Sequence, residues 1–561
     1  MFSSLSKKSV GALALFWSGS ALAAGQCFAP SDPVRLTPDQ QRAVVLNIRD
    51  NPDVFQSDFS LMRTLKNILG TVPGGDPATV TDDAAKDLLN SLLAGFGETS
   101  VRNDDGDISF TLVPRDGEKS LTADDLLGQT SPNRMVPVAL FNRLDLTPAD
   151  HSHCGEYRIV YVKSGPKDGS GRVIFDKRMT LIFEAVLPNP DLSGDRKQCE
   201  AVWRLWSGFS LSGQNQAQIG QTLAKFYYEG GALDTQMSFT PVVSFSHYGI
   251  AGGQVRANAF VHTSANDNGL NWHLRQWRVS FDEANPTKPP SFQPEPVNET
   301  PFRGYFSGDA TTAPGSDPNR FRALSGLFQS IFVQTNVPEL VAVDSLAAIP
   351  IGPQTTVADL IDKVGVDIDD KFYAVESDSG PFGGPALDDP AVAIGANPTL
   401  GDSIDGSLHN LKVDAACGLN RSHVLNRTAA MTCGGCHQFA NGKEIAPGVR
   451  WPLSLNFVQI DENGAMSNLL LDRFLPFRFK LMSNLPPSPP LPAPAPPLPA
   501  PAPLPPAPAA QTSALRQQLR SQLQAFRPTK DAVQSVQSLS NAIRKADKSQ
   551  PGAFVRQRKP D

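Results

Sequence analysis

Five consecutive residues, Cys433-Gly434-Gly435-Cys436-His437, hold the most specific chemistry in the sequence. Two thiols at C-x-x-C spacing can add to the two vinyl groups of a haem, and the adjacent imidazole can ligate its iron. The same spacing also suits a short-loop disulfide, a redox-active dithiol or part of a zinc site. A dithiol site wants a strand before the motif and a helix starting at its first cysteine, whereas residues 419–431 read as a short helix. A structural zinc site needs further close ligands, and only Cys417 and His423 stand nearby.

Other groupings are weaker. Asp145, Asp150, His151, His153, Cys154 and Glu156 form a polar cluster in which alternate strand residues would point the same way. It could serve a metal-dependent hydrolase, but it equally describes a polar turn feeding a strand whose cysteine is oxidised. Asn103-Asp104-Asp105-Gly106-Asp107 fails as an EF-hand loop, because alignment on the glycine puts Val101 and Leu112 at ligand positions. Gly208-Phe209-Ser210-Leu211-Ser212-Gly213 is not a nucleophile elbow, and no P-loop, dinucleotide fingerprint or H-E-x-x-H is present.

Covalent haem attachment requires export, and the N-terminus predicts it. Lys7 and Lys8 precede a short apolar run, and Ala21-Leu22-Ala23 forms a cleavage site, so residues 1–23 read as a signal peptide. The expected location is the periplasm or the extracellular space. No later segment reads as a transmembrane helix. Six cysteines remain after cleavage. If Cys433 and Cys436 hold a cofactor, four are left for an oxidising compartment, with Cys154–Cys199 the preferred pair and Cys27–Cys417 following by elimination.

The elements expected to position these residues define an α+β chain. Residues 28–131 read as a helical N-terminal region opened by Thr37-Pro38-Asp39-Gln40, a capping signal. Residues 132–285 read as a mainly antiparallel β domain interrupted by a helix over 216–228. Within it Val255, Ala257, Ala259 and Val261 alternate with Arg256, Asn258, Phe260 and His262, and a phase slip between Leu274 and Trp277 predicts a β-bulge. Residues 286–318 are a connection. Residues 319–484 form a mostly helical domain carrying the pentad, with a break at Pro338, a strand over 457–460 and a helix over 466–475. Residues 485–510, almost only Pro, Ala and Leu, form a disordered polyproline linker. Residues 511–561 carry ten Lys/Arg against three Asp/Glu and read as a basic helical tail that could reach a partner or an anionic surface. The net charge of −6 over the whole chain argues against general nucleic-acid binding.

Over residues 419–483 the chain resembles the c-type cytochromes, in which a helix leads into C-x-x-C-H and a distal ligand, often Met, follows downstream. The resemblance implies one covalently bound haem c, thioethers at Cys433 and Cys436, and His437 as axial iron ligand. It offers Met466 and Met482 as distal ligands, with His423 or His409 as substitutes, and a redox partner protein. A Met or His on the far side favours electron transfer, and an open position favours small-ligand chemistry. The alternative from a different class is a secreted binding or structural protein in which C-x-x-C is a structural disulfide and no cofactor is bound.

Overall fold

A computed structural model of the protein describes residues 34–483 apart from several short stretches, of which 262–271, 343–369 and 379–388 are the longest. The expected signal peptide, Cys27, the Asn103–Asp107 turn, the Pro-rich linker and the basic tail lie outside the described residues.

The chain is α+β, with a mostly antiparallel sheet. The sheet contains β1 (Val45–Asn47), β2 (Met135–Arg143), β3 (His153–Lys163), β4 (Met179–Pro188), β5 (Gln254–Ala259), β6 (His273–Ser280), β7 (Ser291–Glu295) and β8 (Ser377–Asp378). Strands β1 to β7 pair in chain order, and β8 adds to β6 beyond the end of β7. The strand order follows the chain, with long helical segments between β1 and β2 and between β4 and β5. The sheet also draws in strands from outside residues 132–285, namely Val45–Asn47 before them and Ser291–Glu295 and Ser377–Asp378 after.

The phase slip near Trp277 has a different cause from the one expected. Strand β6 pairs in unbroken register with β5 and β7. Its first half is buried on both faces, because His273 and Arg275 are covered by Glu118 and Glu376. Register shifts occur instead at Pro137/Ala139 in β2 and at His153/Glu156 in β3.

Helices flank the sheet: α1 (Leu61–Gly70), α2 (Asp82–Ala94), α3 (Arg196–Gly208) and α4 (Gln216–Tyr228). Each of α1 and α2 opens on a hydroxyl cap, Ser60 and Thr81, that accepts a backbone N–H left over by the first turn. Helix α3 was not expected from the sequence. It carries Cys199, whose disulfide to Cys154 pins it to β3 as the cysteine pattern predicted. Cys417 is also disulfide-bonded.

A second core is helical. It packs α5 (Pro318–Ile331), α6 (Pro398–Asn410) and α7 (Arg421–Met431) around Phe321, Phe328, Ile404 and Val424. The helix does not break at Pro338: it widens into a π turn over Phe332–Asn336, just before the proline, and continues as Val337–Ala342. Among the described residues no helix is long and apolar enough to cross a membrane.

Candidate functional site

The pentad begins where α7 stops. Thr432 leaves the helix in extended conformation. Its hydroxyl accepts the Gly435 N–H at 3.0 Å and donates to the Ala429 carbonyl at 2.8 Å, so it caps a new turn that starts at Cys433. The turn continues as a π helix over Gly435–Phe439, which ends on Ala440. The glycines are required by close packing: a Cβ on Gly435 would stand 1.6 Å from the Ala429 carbonyl oxygen, and one on Gly434 would stand 2.6 Å from the Phe439 ring.

Cys433 and Cys436 are both half-buried thiols. The fully buried Thr300 hydroxyl accepts the Cys433 N–H at 3.2 Å and donates to Cys433 Sγ at 2.9 Å. Gln459 Nε2 donates to the Cys436 carbonyl at 2.9 Å.

His437 is held by its Nδ1, which donates to the Phe457 carbonyl at 2.7 Å. That bond fixes the tautomer with hydrogen on Nδ1 and leaves the lone pair on Nε2. Metal-binding histidines are oriented in the same way, through the nitrogen that does not bind. Burial pushes the imidazole down to about 4, more than the Phe457 bond lifts it, so the ring is neutral at pH 7. Trp272 lies beside the ring, with centroids 5.5 Å apart, and stacks on Phe457 at 5.1 Å. Phe260, Trp272, Leu274, Val297 and Phe457 make a small apolar core against which Cys433 and Phe439 pack.

The residues present therefore fit a covalently held haem. Two thiols and a neutral imidazole share one turn, and the imidazole's Nδ1 is already engaged by a carbonyl.

The proposed distal residues are spread through the molecule. Met466 pairs with Ile460 across a short reversal, and Gln459, beside Ile460, bonds Cys436. Met482 lies elsewhere: its Sδ is 3.9 Å from Asn142 Nδ2 in β2. Asn258, which touches His437, sits in a cross-sheet row with Thr180, Val162 and Val136. Asn142 is six residues along β2 from that row, roughly 20 Å away. His423 is buried near the start of α7, with Nδ1 accepting the Asn420 N–H at 3.2 Å and Nε2 3.9 Å from Glu444. The far end of α7 from the pentad is about 15 Å away. His409 is exposed and faces Asp414 at 3.2 Å.

The second cluster does not come together as a site. Cys154 is oxidised, Asp145 is paired with Arg143 and Arg478, and Glu156 with Arg158. Burial and the neighbouring Glu184 push the Glu156 carboxyl up against the pull of Arg158. His153 Nδ1 is spent on the Gly155 N–H at 3.2 Å. Among the described residues no group of three or more His, Cys, Asp or Glu side chains is arranged to hold a metal ion.

The strand expected over 457–460 is not formed. Asn456 and Phe457 take φ of 53° and 65°, a left-handed turn, and only Ile460 makes a bridge. Asn258, Trp272, Thr300 and Phe457 join the site without having been singled out from the sequence. They lie far from the pentad along the chain, except for Phe457, and no local motif marks them.

No protein-family model, curated protein or solved structure matches the chain.

Proposed function

We propose that this chain is an exported c-type haem protein whose role is electron transfer. One observation carries the reading. His437 spends Nδ1 on the Phe457 carbonyl and keeps Nε2 available, within one turn of the Cys433 and Cys436 thiols. The juxtaposition with the two thiols is what favours haem, since buried His247, on a turn without cysteines, is held by a carbonyl in the same way.

In this reading Cys433 and Cys436 form the thioethers and His437 is the axial ligand. A haem held there supplies one-electron chemistry at its iron. The chain's own residues do the rest. Thr432 starts the turn that places both thiols and the imidazole on one short helix. Trp272, Phe260 and Phe457 keep water from one side of the imidazole, and a low local dielectric strengthens its hydrogen bond. Met466, on the segment that Gln459 ties to Cys436, is the favoured distal ligand among the methionines. The signal peptide delivers the chain to the periplasm or beyond, and the basic tail on its Pro-rich spacer reaches a redox partner or an anionic surface.

The test is the mass of the exported protein. Expressed with its signal peptide beside a haem-c maturation system, the chain should be heavier than the signal-cleaved polypeptide by one haem. The Cys433→Ala/Cys436→Ala variant should show the polypeptide mass alone. A parent protein with the polypeptide mass alone overturns the proposal.

A further inference from the structure

The carbonyl that orients His437 belongs to a backbone in an unfavourable conformation. Asn456 and Phe457 are consecutive non-glycine residues with φ of 53° and 65°. Each such residue is strained and persists only where its surroundings impose it. For a bulky residue such as Phe457 the conformation is an outlier.

The surroundings that impose it are side chains from the sheet. Arg178, just before β4, donates through Nη1 to the Leu455 carbonyl at 3.4 Å and the Asn456 carbonyl at 3.3 Å. It is itself held by Glu462 at 2.6 Å. Asn258, on β5 and 3 % exposed, donates through Nδ2 to the Phe457 carbonyl at 2.7 Å. Its Oδ1 accepts the Trp272 Nε1–H, so the amide cannot turn over without losing a buried bond. Three consecutive carbonyls of one strained turn are thus held from the sheet, and the last of them is the acceptor for His437. The turn is closed on itself by the Leu455 N–H, which donates to the Val458 carbonyl at 2.8 Å.

We infer that Asn258 is the positioning residue of the haem site: it holds the Asn456–Phe457 turn in its left-handed form so that the Phe457 carbonyl keeps the hydrogen of His437 on Nδ1. This rests on the reading of His437 as an axial ligand. Without Asn258 the turn relaxes to ordinary backbone angles and the carbonyl moves off. The imidazole then distributes its hydrogen between the two nitrogens, and its donor strength toward iron falls.

Two measurements test this, and one needs no haem. In the unloaded protein, expressed without haem maturation, nitrogen NMR of His437 at neutral pH reads the tautomer directly. The parent should show hydrogen on Nδ1. Asn258→Leu, which keeps the volume and removes both amide bonds, should show a mixture of tautomers. Asn258→Leu combined with Asn456→Gly should move back toward the parent, because glycine takes positive φ without strain. In the loaded protein the midpoint potential should rise in Asn258→Leu, as a weaker ligand stabilises the oxidised iron less, and should fall back in the double variant. A folded Asn258→Leu with the parent's tautomer overturns the inference, as does a double variant no closer to the parent than the single one. Should Asn258→Leu fail to fold, Trp272→Phe removes the N–H that anchors the Asn258 amide while keeping an aromatic ring beside His437 and Phe457. A tautomer mixture there supports the inference, and the parent's tautomer overturns it. Failure to attach haem would count against the proposed function, while the NMR result would still decide the role of Asn258.

Discussion

Phe457 presents its carbonyl oxygen 2.7 Å from His437 Nδ1 although the two residues are twenty positions apart, on either side of a small hairpin formed by Glu444–Ala446 and Val449–Arg450. The contact exists because Phe457 is held from behind. Its ring packs against Trp272, Phe260 and Phe439, and its carbonyl is shared with Asn258. The imidazole is therefore tied to the Phe457 turn and, through Asn258, that turn is tied to strand β5.

The glycines of the pentad should differ sharply in tolerance. Gly435→Ala places a methyl against the fixed Ala429 carbonyl, and the cost should be about 3 kcal/mol, since neither backbone can withdraw. Gly434→Ala meets the edge of the Phe439 ring, which can turn, and should cost about 1 kcal/mol. Urea unfolding of the two variants checks the order. Equal destabilisation would mean that the turn at Gly435 is softer than its packing indicates.

The Cys154–Cys199 disulfide closes a loop of 45 residues. Removing it as Cys154→Ala/Cys199→Ala should cost about 4 kcal/mol through the larger freedom of the unfolded chain. It should also loosen α3 from β3, where Trp203 Nε1 donates to the Cys154 carbonyl at 3.3 Å. Denaturant midpoints of the parent and the double variant measure the first effect. Amide exchange over 196–208 measures the second, and unchanged protection there would refute it.

Stability should fall in mild acid, and His247 should account for part of the loss. Burial holds its folded-state pKa down at about 4, against an ordinary value of 6.5. Its Nδ1 donates to the Val242 carbonyl at 2.9 Å, and Nε2 lies 3.1 Å from the Thr240 hydroxyl. The folded state prefers the neutral ring, so the stabilisation is complete above pH 6.5 and is lost as pH falls through the window down to 4. Between pH 7.5 and pH 5 this amounts to about 2 kcal/mol. His247→Gln should be less stable than the parent at pH 7.5 and should lose less on acidification. Parallel curves for the two proteins would show that His247 does not titrate in this window.

Much of the site's near half was legible in the sequence. The pentad announced itself, the helix before it follows from residues of ordinary helical spacing, and Cys154–Cys199 followed from the flanking strands. The far half was not. Asn258 and Trp272 reach His437 across 179 and 165 residues, and nothing local in β5 or β6 distinguishes a residue that bonds the site from one that fills the core. The segment 457–460 misled because Phe-Val-Gln-Ile has strand composition, while its backbone is set by Arg178 and Asn258. Strand β6 misled for a related reason: buried His273 and Arg275, paired with Glu118 and Glu376, replace the polar alternation that marks a solvent-facing strand.

The central claim is that Cys433, Cys436 and His437 hold a covalent haem, and the visible spectrum of the denatured protein tests it most directly. The exported chain, matured with a haem-c system and unfolded in acid and organic solvent, should retain a Soret band on the polypeptide. Cys436→Ala should weaken that attachment, and Cys433→Ala/Cys436→Ala should release all colour into the solvent. A colourless parent protein, or one whose colour extracts completely, would contradict the account.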